Sequence, residues 1–274
     1  MHEPRSSAGD SAPSPRGILV VGHGTTDPVG EAETRAVAAA VAEAESAVVV
    51  ELGFLELLEP SIGTALARLR QRGCGIVAAA PLLLFRAGHA RRDLPEALSA
   101  AAPGCRIVQA EPLGTHPDLV TLAARRRREA VAPLPPVPAA DTVDVVVGRG
   151  ASDGGAEARL AEFVAAVEAH AGVPLARRTL LGFVAAARPS VAEALAAARA
   201  ARPRRVVIRP HLLFSGRVEQ DVVGAVAEAR AVNPSIEWVV APRLGVDPLL
   251  VTALRARVAA AWPNRSTGVA TAVP

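Results

Sequence analysis

Two histidines and one glutamate stand out because the chain loses all three together when it repeats itself. The first copy of the repeat reads ILVVGHGTTD, LGFLELLEPS, PLLLFRAGHARRDL and PLGTHPDLV. The second reads DVVVGRGASD, LGFVAAARPS, PHLLFSGRVEQDV and RLGVDPLLV in the same order. At matched points His23 becomes Arg149, Glu56 becomes Ala185 and His89 becomes Arg217. The frame survives: Gly22, Gly24, Pro60 and Ser61 are matched by Gly148, Gly150, Pro189 and Ser190. Joint loss from a retained frame points to a single site. Imidazole and carboxylate together suit Fe, Co, Ni or Zn. Three protein ligands leave a position open, whereas a closed structural site wants four. Histidine also exchanges protons near neutral pH. The chemistry expected of His23, Glu56 and His89 is therefore metal binding in an open site, with proton transfer from the same groups.

Other polar residues are weighed against these three. Gly22-His23-Gly24-Thr25-Thr26 leads into a helix that Thr25, Thr26 or Asp27 can cap. The free N–H groups of such a helix start would receive an anion. Arg91 and Arg92, beside His89, can fork onto carboxylates or form a solvated basic loop. Glu59 competes with Glu56, but Glu56 sits directly on a strand end. His116 becomes Asp247 in the second copy, which fits a turn or cap. His170 precedes the helix-stop signal Gly172. His211 replaces Leu82 and is a weaker candidate for the opposite wall of a cleft. The run Arg125 to Arg128 ends a predicted helix and reads as a solvated terminus.

The positioning elements follow from hydrophobic periodicity. Ile18 to Val21 and Ala47 to Leu55 read as strands, Ile76 to Leu84 as a continuous apolar run, and Arg106 to Ala110 as a short strand. Between them lie helical segments at Gly30 to Glu45, Ser61 to Arg72, Leu94 to Ala101 and Pro117 to Ala130. Apolar strands alternating with helices predict a parallel sheet covered on both faces. In such sheets ligands bind at the carboxyl ends of the strands. His23 follows the first strand, Glu56 ends the second and His89 lies after the third, so all three meet at one sheet edge. The expected organisation is a tail over 1–16, a first lobe over 17–131, a proline-rich linker over 132–142, a degenerate second lobe over 143–262 and a tail over 263–274.

Composition narrows the classes. Half of the 274 residues are hydrophobic, and all thirty basic residues are arginine. A net charge of +3 is too small to argue for nucleic acid but suits an anionic small molecule. Cys74 and Cys105 form no CxxC pair, against zinc ribbons, thioredoxin chemistry and cysteine-held clusters. No apolar run is long enough to span a membrane, and the first sixteen residues lack a signal-peptide core. A cytoplasmic protein is expected.

GHGTTD, FLELLEPS and PLLLFRAGHARRDLP in combination resemble the sirohydrochlorin chelatases, relatives of the anaerobic cobaltochelatases and class II ferrochelatases. The resemblance covers most of Arg16 to Ala261. It includes the 33-residue steps from His23 to Glu56 and from Glu56 to His89. It implies an α/β class II chelatase fold: two flavodoxin-like (Rossmann-like) three-layer lobes with parallel sheets, facing each other across a cleft. It also implies a monomer acting as a pseudo-dimer. The substrates implied are a carboxylate-rich tetrapyrrole and a divalent metal, Fe2+ giving sirohaem or Co2+ leading to cobalamin. No permanently bound cofactor, no ATP, no nucleic acid and no membrane are implied. His23 and His89 would hold the metal and Glu56 would assist, with Thr25, Thr26, Arg91 and Arg92 binding substrate. Two other readings compete. A histidine phosphatase wants Arg immediately before its histidine, where this chain has Gly22. A non-catalytic metal or tetrapyrrole carrier would use the same open site without turnover.

Overall fold

The β-branched run after Arg16 extends as strand β1 (Arg16–Gly22), buried along nearly its whole length. In the computed structural model, which describes residues 15–85, 93–101 and 105–263, it forms the centre of a parallel sheet. Its neighbours are β2 (Val49–Phe54) and β3 (Ile76–Pro81), with β4 (Arg106–Gln109) beyond β3, giving the order β2-β1-β3-β4. The helices between them are α1 (Pro28–Ala44), α2 (Ile62–Gln71), α3 (Asp93–Ala101) and α4 (Pro117–Val131). The second half repeats the plan. Strands β5 (Thr142–Gly148), β6 (Arg178–Phe183), β7 (Arg205–Pro210) and β8 (Glu237–Val240) pair in the order β6-β5-β7-β8. Its helices are α5 (Ala156–Ala171), α6 (Val191–Ala200), α7 (Arg217–Val232) and α8 (Pro248–Ala261).

Alternation along β1 makes the three layers. Leu19 and Val21 pack with Leu66 and Leu69 of α2 and Leu94 of α3. Ile18 and Val20 face the other way, into a core with Val37 and Val41 of α1 and Leu119 and Leu122 of α4. Both faces are apolar because both are covered. That second core does not stop at the lobe boundary. It continues through Phe163 and Val167 of α5 and Leu250 and Leu254 of α8. The two lobes therefore share one hydrophobic interior, built from the helical layers that face each other.

The arginine run supplies the polar part of this joint and corrects the expectation of a solvated helix end. Arg127 is buried, and its fork meets the fully buried Asp144 of β5 at 2.7 and 3.1 Å. Arg209 of β7 approaches the same carboxylate at 3.3 Å. Burial pulls the Arg209 pKa down and the adjacent Asp144 opposes that pull, so the guanidinium stays charged. Arg126 donates to the Leu244 carbonyl, and both Arg125 and Arg126 reach Asp247 at the start of α8. One face of the last turns of α4, carrying Arg125, Arg126 and Arg127, thus meets the other lobe, while Arg128 stays exposed.

Candidate functional site

The strand ends bring His23 and Glu56 together. His23 is the first residue after β1, and Glu56 lies two residues after β2. The Glu56 N–H donates to the His23 carbonyl at 3.0 Å, tying the two loops. Gly24, at φ +104°, passes so close that a Cβ there would lie 1.9 Å from the Glu56 carbonyl oxygen, so this turn admits only glycine. Leu57 adopts φ +65°, an unusual conformation for a branched residue and one that occurs where a loop must present a neighbour. The outcome is a His23 Nδ1 to Glu56 Oε1 distance of 3.2 Å, with both side chains partly open to solvent. A carboxylate beside Nδ1 can orient the ring and leaves Nε2 for other work.

The second lobe reproduces this backbone without its chemistry. The Ala185 N–H donates to the Arg149 carbonyl at 2.9 Å. Gly150 has φ +90°, and a Cβ there would lie 1.8 Å from the Ala185 carbonyl oxygen. Ala186 takes the place of Leu57 at φ +55°. Arg149 and Ala185 therefore stand where His23 and Glu56 stand in the first lobe. Between the two sets of strand ends lies a cleft of about 1030 Å³, at the upper end of small-molecule sites. His23 and Glu56 line one side and Arg149 and Ala185 the other, with Leu84, Phe85 and Leu213 supplying apolar surface.

Not every candidate converges. His89, Arg91 and Arg92 lie outside the described residues. Thr25 and Thr26 are not among the residues lining the cleft. The expected anion site at the start of α1 is already filled: Asp27 caps the helix, accepting from Val29 N and Gly30 N at 2.9 Å each. Thr25 Oγ1 accepts from the Asp27 N–H instead. Glu59 is likewise occupied, taking the Ser61 N–H at 2.7 Å. In the second lobe Glu193 takes the matching Ser190 N–H at 2.6 Å, so Arg188 can stand in the Glu59 position without cost to the helix start. His116 caps α4 through Nδ1 and Asp247 caps α8. His170 sits in the last turn of α5, followed by left-handed Gly172. Cys74 and Cys105 precede β3 and β4, at the opposite sheet edge, and burial raises both thiol pKa values.

His211 does reach the cleft wall, at the end of β7. Its ring lies 4.1 Å from that of Phe163 and 5.3 Å from that of Phe85, and its Nε2 is buried without a partner. Burial, with Arg209 nearby, pushes its pKa from 6.5 down to about 3. The ring is neutral at working pH and no proton acceptor. Between those two values the unfolded chain binds a proton that the folded chain refuses, so stability falls as pH drops through that window. His211→Leu, which copies Leu82 of the first lobe, is expected to flatten the melting-temperature profile below pH 6.5. Melts from pH 4 to 8 with slopes parallel to wild type would contradict this.

A family model described as CbiX matches residues 17–130 and again residues 144–261. The chain is 26% identical over 245 residues to a sirohydrochlorin cobaltochelatase of Priestia megaterium, covering 88% of this chain and 78% of that one. It is 28% identical over 222 residues to a sirohydrochlorin ferrochelatase of Bacillus subtilis (strain 168), covering 80% and 82%. Among solved structures it resembles SirB from Bacillus subtilis with Fe3+, at a TM-score of 0.76 and 27% identity over 89% of this chain and 94% of that one.

Proposed function

Because the chain belongs to the CbiX family, with one match in each lobe, we propose that it is a sirohydrochlorin chelatase, a lyase-type enzyme that inserts a divalent metal into a carboxylate-rich tetrapyrrole without ATP. Fe2+ giving sirohaem is the first reading. Co2+ is the second, favoured by the similarity to a cobaltochelatase over 88% of the chain.

One observation carries the proposal: a histidine–carboxylate pair faces a cleft whose other wall repeats the same backbone with Arg149 and Ala185 in place of that pair. Glu56 holds the His23 ring by Nδ1, and Nε2 receives the incoming metal. His89, which follows β3 in the sequence, is the expected second imidazole. The macrocycle enters between apolar surfaces from both lobes, with Arg91 and Arg92 available to its carboxylates. Inserting a divalent ion displaces two pyrrole protons, and the His23–Glu56 pair accepts them as the metal passes into the ring. A permanently bound cofactor has no part in this scheme, since the metal is itself a substrate. The two lobes act as an internal pseudo-dimer within one chain.

The test is multiple turnover. Purified protein mixed with excess sirohydrochlorin and Fe2+ or Co2+, without ATP, is expected to convert many equivalents, followed by absorbance. Conversion that stops at one equivalent per chain would make the protein a carrier and overturn the proposal.

A further inference from the structure

Among the described residues, the ionisable groups lining the cleft differ between its walls: His23, Glu56, Glu96 and Asp93, which has a partner of its own, on the first lobe, and Arg149, Arg159 and the neutral His211 on the second. Two exchanges produce this difference. At the strand ends the His23–Glu56 pair is replaced by Arg149 and Ala185. A permanent cation arrives just where its carboxylate partner is removed, and Arg149 makes no ion pair with any described residue. Had a glutamate remained at 185, that charge would be neutralised within the protein. The second exchange is on the helix that follows. Glu33 of α1 is matched by Arg159 of α5. Glu33 accepts the Ser215 N–H at 2.8 Å and pairs with Arg243, so it serves the joint between lobes. Arg159 instead lines the cleft. Its Nη2 pairs with Asp153 at 2.7 Å, its Nη1 occupies space that a side chain at Gly155 would need, and its Nε is buried without a partner. Arg217, the third matched arginine, is exposed at the start of α7 and is not among the cleft residues.

We propose that Arg149 and Arg159 are the tetrapyrrole's carboxylate anchor, holding its edge on the second-lobe wall so that the ring faces His23 and Glu56. This rests on the chelatase reading. A guanidinium presents paired donors that match a carboxylate, which a compact ammonium cannot do. The unpaired charge of Arg149 also repels a divalent cation from this wall, so the metal is left to His23 and Glu56 while the second lobe holds an edge of the macrocycle. The degenerate copy is a binding wall and not a vestige.

Steady-state metal insertion tests this, varying sirohydrochlorin at fixed Co2+ and then the reverse. Arg149→Ala with Arg159→Ala is expected to raise the sirohydrochlorin KM about tenfold, with the Co2+ KM and kcat within about twofold of wild type. Added salt raises the wild-type sirohydrochlorin KM and moves that of the double variant less. Arg149→Lys recovers part of the loss, and Arg217→Ala behaves as wild type. An unchanged sirohydrochlorin KM, or an equal rise in the Co2+ KM, overturns the proposal. If the double variant melts early, Arg149→Ala alone decides by the same criterion, since that side chain is exposed. A wild-type protein that binds sirohydrochlorin but inserts no metal sinks the chelatase reading, an outcome visible before any variant is made.

Discussion

His23→Ala is expected to lower the rate of metal insertion by roughly two to four orders of magnitude, the range for losing a positioned proton-transfer group, with an unchanged melting temperature. The side chain is 36% exposed, so the fold does not depend on it and the loss belongs to the chemistry. Glu56→Gln is expected to cost less, about tenfold. The amide still fills the space at Nδ1 but no longer supplies the charge that holds the ring and shares the released protons. Initial rates on the two variants check this. A His23→Ala variant with more than about a tenth of wild-type activity would move the metal away from the first-lobe strand ends.

The second large effect lies at the joint between the lobes. Asp144→Ala is expected to destabilise the protein by about 3–5 kcal/mol, because it strands two buried guanidiniums in place of a satisfied cluster. Arg127→Ala is expected to fall at the lower end of that range, since Arg209 still partners Asp144. Replacing all three by apolar residues of similar volume is expected to recover most of the loss, since removing a whole buried ionic cluster is often neutral. Denaturant unfolding of the single and triple variants measures it. A loss below about 1 kcal/mol for Asp144→Ala would mean that water reaches the cluster.

Periodicity made the layers legible. The runs around Ile18 and Ile76 are apolar on both faces, the edge strand around Val49 is interrupted by Glu51, and the elements fall within a few residues of where those patterns place them. The pairing of His23 with Glu56 was legible for a different reason: strand ends in a parallel sheet converge, and the second copy shows what the frame looks like without ligands. The arginine run was misread because local sequence cannot tell water from another lobe beyond a helix end. Asp144, an aspartate inside TVDVVVG, was the available signal, since a buried carboxylate in a strand demands a cation. At α1 the sequence left three caps open, Thr25, Thr26 and Asp27, and it is Asp27 that takes the Val29 and Gly30 N–H groups. Arg159 carries no signal of its own, because it sits in an ordinary helical position, and only the matched Glu33 marks it as a reversal of charge.

The central claim is that one lobe holds the metal and the other does not. Titration of Co2+ into the protein without tetrapyrrole, followed by calorimetry or by the cobalt absorption bands, tests it most directly. Wild type is expected to bind one Co2+ per chain, His23→Ala to bind at least about tenfold more weakly, and Arg149→Ala to bind like wild type. Two equivalents per chain, or an affinity unaffected by His23→Ala, would contradict it.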